Sequence, residues 1–131
     1  MSDIKIKVNK GHLPKKEFIT ELLKVMVPSL TGNERSLLIE MLCTNPRKLD
    51  YESRKLILKS DTYKDSPNAE RAISVALGTL CTRKYSNEFL VTKLRQGTYQ
   101  IANTLAKHIE LLEKQPNTKI EITLTYDPHA I

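Results

Sequence analysis

The chain has 131 residues, 40% hydrophobic and 27% charged, which is enough apolar material for one modest core and excludes the composition of a disordered chain. Lysine and arginine outnumber aspartate and glutamate by 21 to 15, a formal net charge of +6, so the surface should attract polyanions at low salt and lose them as salt rises. No apolar run approaches the ~20 residues that cross a bilayer, and Met1-Ser2-Asp3-Ile4-Lys5-Ile6-Lys7-Val8 lacks the apolar stretch of a signal peptide. The expectation is a single domain over residues 1–131 with no membrane partner, kept in the cytoplasm or packed into a virion assembled there.

Ile4, Ile6 and Val8 alternate with Lys5, Lys7 and Asn9, the period of a half-buried strand over residues 1–9. Ile120, Ile122, Leu124 and Tyr126 alternate in the same way with Glu121, Thr123 and Thr125, predicting a second strand over 119–126. The two can pair, with lysines on one facing Glu121 and Asp127 on the other.

Residues 15–115 between them read as a helical core. Phe18, Ile19, Leu22, Leu23, Val25 and Met26 follow the helical period and stop at Pro28. Thr31-Gly32-Asn33-Glu34 has the form of a capping box, in which the Thr31 hydroxyl accepts from the Glu34 backbone and the Glu34 carboxylate reaches back. The helix it opens carries Leu37, Leu38, Met41 and Leu42.

Asp50 is the expected N-cap of a short third helix with Leu56 and Ile57 on its buried side. The polar run from Ser60 to Asp65 reads as a loop. Ser66-Pro67 then restarts the chain as N-cap and first helical residue, since proline gives up an amide that would have no partner there. In this fourth helix Ala69, Ile73, Ala76, Leu77 and Leu80 share one side and face the core. The other side presents Arg71, Ser74, Val75, Gly78 and Thr82, small side chains that let another surface come close.

Glu88 to Leu94 is rich in β-formers, Arg95-Gln96-Gly97 supplies a bend, and Thr98-Tyr99-Gln100-Ile101 returns as the second arm. Asn103 is the expected cap of a last helix striped by Leu105, Ile109 and Leu112.

No constellation points to catalysis. His12, His108 and His129 are scattered and lack metal-ligand spacing, and each reads as a surface histidine. Cys43 and Cys81 lie far apart in apolar helical stretches and read as buried free thiols of a reducing compartment. There is no glycine-rich phosphate loop or nucleophile elbow, and Glu110 and Glu113 sit beside Lys107 and Lys114 as ordinary surface pairs. The expectation is a non-enzymatic protein without cofactor, metal or small-molecule substrate.

Thr31-Gly32-Asn33-Glu34-Arg35 opening an apolar helix, the helix pair around Leu56 and Ile73, and the run from Arg95 through Tyr99 to Asn103 resemble winged helix-turn-helix proteins of plasmid or phage replication-initiator or MarR-like type. The resemblance covers roughly residues 30–105 by order of elements. It implies an α+β, mainly helical domain with a β-hairpin wing at 88–101 and short terminal strands. It also implies double-stranded DNA as partner, a role in replication or transcription control, and a homo-oligomeric state such as a dimer. The helix from Ser66 would then be the recognition helix, with Ser66, Asn68, Arg71, Ser74 and Val75 meeting bases or phosphates. Arg71 would read guanine bidentately, and Lys93, Arg95 and Gln96 would reach the backbone or minor groove from the wing tip.

Charge outside that helix adds a second candidate surface. Lys5, Lys7, Lys10, Lys15 and Lys16 stand against Asp3 alone, and Arg47, Lys48, Arg54, Lys55 and Lys59 against Asp50 and Glu52. Both groups read either as a patch that tracks a nucleic-acid backbone or as solvated faces. Asp61, Asp65 and Glu70 cluster where phosphates should approach that helix, with Lys64 and Arg71 close by, and would repel them. With protein contacts in place of DNA, the same fold would serve as a phage structural or assembly protein, a virion or head-tail component whose terminal strands pair with neighbouring subunits.

Overall fold

Aliphatic residues at the helical period close the core from four directions. Leu22 and Leu23 from the first helix, Leu37, Leu38, Met41 and Leu42 from the second, Ile73, Leu77 and Leu80 from the fourth and Leu105 and Ile109 from the last are all buried. Each such side chain contributes about 1.5–3 kcal/mol when removed from water. The computed structural model describes residues 2–9, 15–114 and 119–126, the terminal stretches through their backbone.

The element order is β1 (Ser2–Asn9), α1 (Lys15–Met26), α2 (Gly32–Thr44), β2 (Lys48–Leu49), α3 (Tyr51–Leu58), α4 (Ala69–Leu80), β3 (Lys84–Tyr85), β4 (Glu88–Phe89), β5 (Val91–Arg95), β6 (Thr98–Ile101), α5 (Asn103–Glu113) and β7 (Lys119–Tyr126). The fold is α+β. Among the described residues the strands form three antiparallel sheets, β1-β7, β2-β6-β5 and β3-β4. The terminal strands pair within the chain, setting Ile4 opposite Leu124, Ile6 opposite Ile122 and Lys7 opposite Glu121. Asp127 lies outside the described residues.

Both expected caps at Thr31 and Asp50 form, one of them altered. The Thr31 oxygen accepts from the Glu34 N–H at 3.3 Å, but the Glu34 carboxylate does not return to the Thr31 amide. It accepts from the Thr31 hydroxyl at 3.1 Å and turns to Arg83. Thr31→Ala should cost about 1 kcal/mol in urea unfolding, with Thr31→Ser recovering most of it. Asp50 accepts from the Ser53 backbone N–H and hydroxyl, each at 2.9 Å. Those two bonds, helped by Lys48, hold its carboxyl below the usual carboxylate range. The cap therefore contributes in full above that range and is lost as pH falls through the depressed value.

Several expectations are corrected. The fourth helix begins at Ala69, with Asn68 in the N-cap position making no side-chain cap bond. Ser66-Pro67 belongs to the preceding turns, in which Tyr63 and Lys64 donate to the Ser60 carbonyl and Ser66 donates to that of Tyr63. The buried Tyr63 ring pins this loop to the core. Thr62 donates to the buried Glu40 at 3.0 Å, which is also ion-paired with Lys16. Leu56 is 59% exposed, so Ile57 alone of the expected pair faces inward. Asn103 is the first residue of α5 rather than its cap. Its N–H donates to the Glu88 carboxylate at 2.6 Å, so the cap comes from a distant segment. Glu88 to Leu94 is two strands separated by the buried Leu90, and β2 and β3 are additional.

Candidate nucleic-acid interface

The inner side of α4 is spent on the core, leaving Arg71, Ser74, Val75 and Gly78 in solvent. Val75 is 62% exposed, unusual for an aliphatic residue in mid-helix, and open space lies where a Gly78 side chain would stand. Beside this face runs a groove of about 450 Å³ between α4 and the start of α2, lined among others by Thr31, Asn33, Asn68, Arg71, Val75 and Thr79. Asn68 and Arg71 thus stand at one surface with Val75, while Ser66 is exposed on the loop before it.

Arg54 has a different task from the one its charge implied. Its guanidinium donates to the Glu70 carboxylate at 3.1 Å, to the Glu70 carbonyl at 3.3 Å and to the Ser74 hydroxyl at 2.9 Å. It fixes α3 against α4 and occupies the Ser74 oxygen from behind. The same bond neutralises Glu70, and Lys64 pairs with Asp61 at 2.9 Å. Of the three carboxylates around the start of the helix, Asp65 is left without a salt bridge among the described residues. The acidic approach is therefore weaker than its sequence composition.

The β5-β6 hairpin projects beyond the body. Val91 and Ile101 at its base are buried, whereas every residue from Thr92 to Gly97 is exposed, so both faces of this stretch of β5 meet water. Gly97 has φ +79° at the tip, a conformation that glycine adopts without penalty. The register slips between Lys93, opposite Tyr99, and Arg95, opposite Thr98. Leu94 is the extra residue of this irregularity and is 56% exposed. Lys93, Arg95 and Gln96 thus share the projecting end, and neither cation has a salt bridge among the described residues. Burial pushes the Cys81 thiol up, and Lys93 opposes the shift.

Much of the remaining basic charge is already paired. Arg47 meets Glu110 at 3.0 Å and Lys48 meets Asp50 at 3.8 Å. Lys55 lies 4.5 Å over the Tyr51 ring, and Lys59 is exposed. Lys15 is 4.0 Å from Glu113, Lys5 and Lys7 occupy register positions in β1, and Lys10 lies outside the described residues. The segment from 47 to 59 consequently offers Lys55 and Lys59 rather than five free cations.

The β3-β4 hairpin supplies a neighbour that sequence reasoning missed. Ser86 and Asn87 at its turn both have positive φ, 54° and 66°, the two-residue geometry that matches strand twist. Lys84 sits 5.0 Å over the Phe89 ring. Tyr85 and His108 share a 2.7 Å hydrogen bond between the phenol oxygen and Nδ1. The asparagine was the available signal, obscured by a serine at the other left-handed position.

Among the described residues no group of three or more histidine, cysteine or acidic side chains is placed to hold a metal; His12 and His129 lie outside them. Cys43 and Cys81 are free and half-buried, and burial raises both thiols. No described helix is long and apolar enough to cross a membrane. Comparison with family models, curated proteins and solved structures finds no match.

Proposed function

We propose that this chain is a non-enzymatic winged helix-turn-helix protein that binds double-stranded DNA, of the bacterial, plasmid or phage kind that acts in replication or transcription control in the cytoplasm. The observation that carries the reading is how the hairpin is held. β2, immediately before α3, hydrogen-bonds β6, and β6 pairs with β5. One sheet thereby ties the projecting wing to the strand that feeds the helix pair.

The chemistry of the two exposed elements supports it. A helix ~10–12 Å across fits a major groove ~12 Å wide, and the small residues of α4 let its backbone approach. Arg71 is free to meet guanine, and one turn along, Val75 offers an apolar contact suited to a thymine methyl. Lys93 and Arg95 are exposed cations at the wing tip, and Lys55 and Lys59 extend the basic surface along α3.

Titration on duplex DNA at ~50 mM salt should give binding that weakens steeply as salt rises, and no binding at that salt would reject the reading. Arg71→Ala should cost about 1–3 kcal/mol of preference between a selected site and random duplex. Equal weakening on both would move Arg71 from base reading to phosphate contact.

A further inference from the structure

We infer that Leu94, set between Lys93 and Arg95 at the projecting end of the β5-β6 hairpin, is an apolar wedge that enters the minor groove of duplex DNA and parts a base step there. The inference rests on the DNA reading above and adds to it a deformation of the duplex.

Single exposed leucines are ordinary on protein surfaces, and it is the place of Leu94 that gives it a use. It lies 56% exposed in the run from Thr92 to Gly97, every residue of which meets water. It is also the extra residue where the register passes from Lys93 opposite Tyr99 to Arg95 opposite Thr98. Leu94 thus belongs neither to the core nor to a cross-strand pair. An irregularity of this kind breaks the strict alternation of a strand and re-aims side chains, so Leu94 is not committed to the face opposite its two neighbours.

The charge around it selects the partner. From Val91 to Ile101 the hairpin carries Lys93 and Arg95 and no carboxylate, and neither cation has a salt bridge among the described residues. Such a tip is drawn to an anionic surface. The two cations are two residues apart, ~6–7 Å along an extended strand, which is close to the ~6 Å width of the minor groove. They can reach the phosphates of both walls while Leu94 stands over the floor between them. Leucine is among the side chains that part a base step from the minor groove and kink the duplex. A wedge also needs a firm base. Val91 and Ile101 are buried where the hairpin leaves the body, and β6 pairs with β2 as well as with β5.

The test uses the full-length chain and a duplex carrying a selected site, with a fluorescent purine analogue quenched by stacking placed at successive positions. Affinity, salt slope and emission are read together. The natural chain should brighten the analogue at one step. Leu94→Ala should keep the natural salt slope, because both cations remain, while losing the brightening and raising Kd roughly 10-fold. Leu94→Met should retain the brightening. Duplex binding by the natural chain with no brightening at any position, or brightening that persists in Leu94→Ala, would overturn the wedge and leave the DNA reading in place. No duplex binding at ~50 mM salt would remove both, and Leu94-dependent binding to phosphatidylserine vesicles in its stead would assign the tip to a lipid surface.

Discussion

Arg83→Ala should lose about 2–4 kcal/mol of unfolding free energy, read as a lower urea midpoint at unchanged slope. Glu34 is 3% exposed at the start of α2, and its carboxylate is met by Arg83 from 49 residues away, Nε at 3.2 Å and Nη2 at 3.3 Å. Two parallel bonds of this kind are the strong form of the arginine–carboxylate contact. Removing the guanidinium leaves a desolvated carboxylate with the Thr31 hydroxyl and cap as its remaining partners. The partly exposed Arg83 lets water offset some of that cost, hence a figure below that of a fully enclosed pair. Adding Glu34→Gln to Arg83→Ala should recover over ~1 kcal/mol, because the stranded charge is then gone. An unchanged midpoint in Arg83→Ala would show that the pair contributes nothing to stability.

Lys93→Ala/Arg95→Ala should weaken duplex binding by roughly 10²-fold at 50 mM salt while leaving the unfolding midpoint in place. Each phosphate contact contributes about 0.9 to the slope of log affinity against log salt. Losing two makes the slope shallower by about 1.8, and the deficit shrinks as salt rises. Both side chains stand in solvent on a projecting hairpin, where substitutions usually change stability by under ~0.5 kcal/mol. A double variant with the natural slope would remove the wing from the interface and leave α4 as the contact.

The elements with a long apolar period were readable from the chain itself. The stripes of α1, α2, α4 and α5 came out within a few residues, and the arms turning at Gly97 and the two terminal strands were placed by alternation and glycine chemistry. What escaped notice was short or supplied from afar. β2 has two residues, too few to display a period, yet it closes the sheet behind the wing. Ser66-Pro67 has good capping chemistry, but the buried Tyr63 ring and the turns around Ser60 delay the helix to Ala69. Asn103 resembles a cap because nothing local reveals that Glu88 takes its amide.

The candidate site could be listed from the chain as residues but not as a division of labour. Arg71, Lys93 and Arg95 were chosen by type and order, and all three stand in solvent. Arg54 and Glu70 looked like members of a basic and an acidic cluster, and in three dimensions they are partners. A charge count along the chain cannot register a bond between residues on different helices, so the basic face was overestimated and the acidic approach with it.

The connection between α3 and α4 carries one more consequence. It spans residues 59–68, and Tyr63 and the Thr62–Glu40–Lys16 contacts fasten it to α1 and α2. The start of α4 is thereby fastened to the core. Under the proposed function, docking on α4 would require little further ordering of the backbone, and its on-rate would be set by diffusion and the long-range pull of its cations rather than by a search for the competent shape.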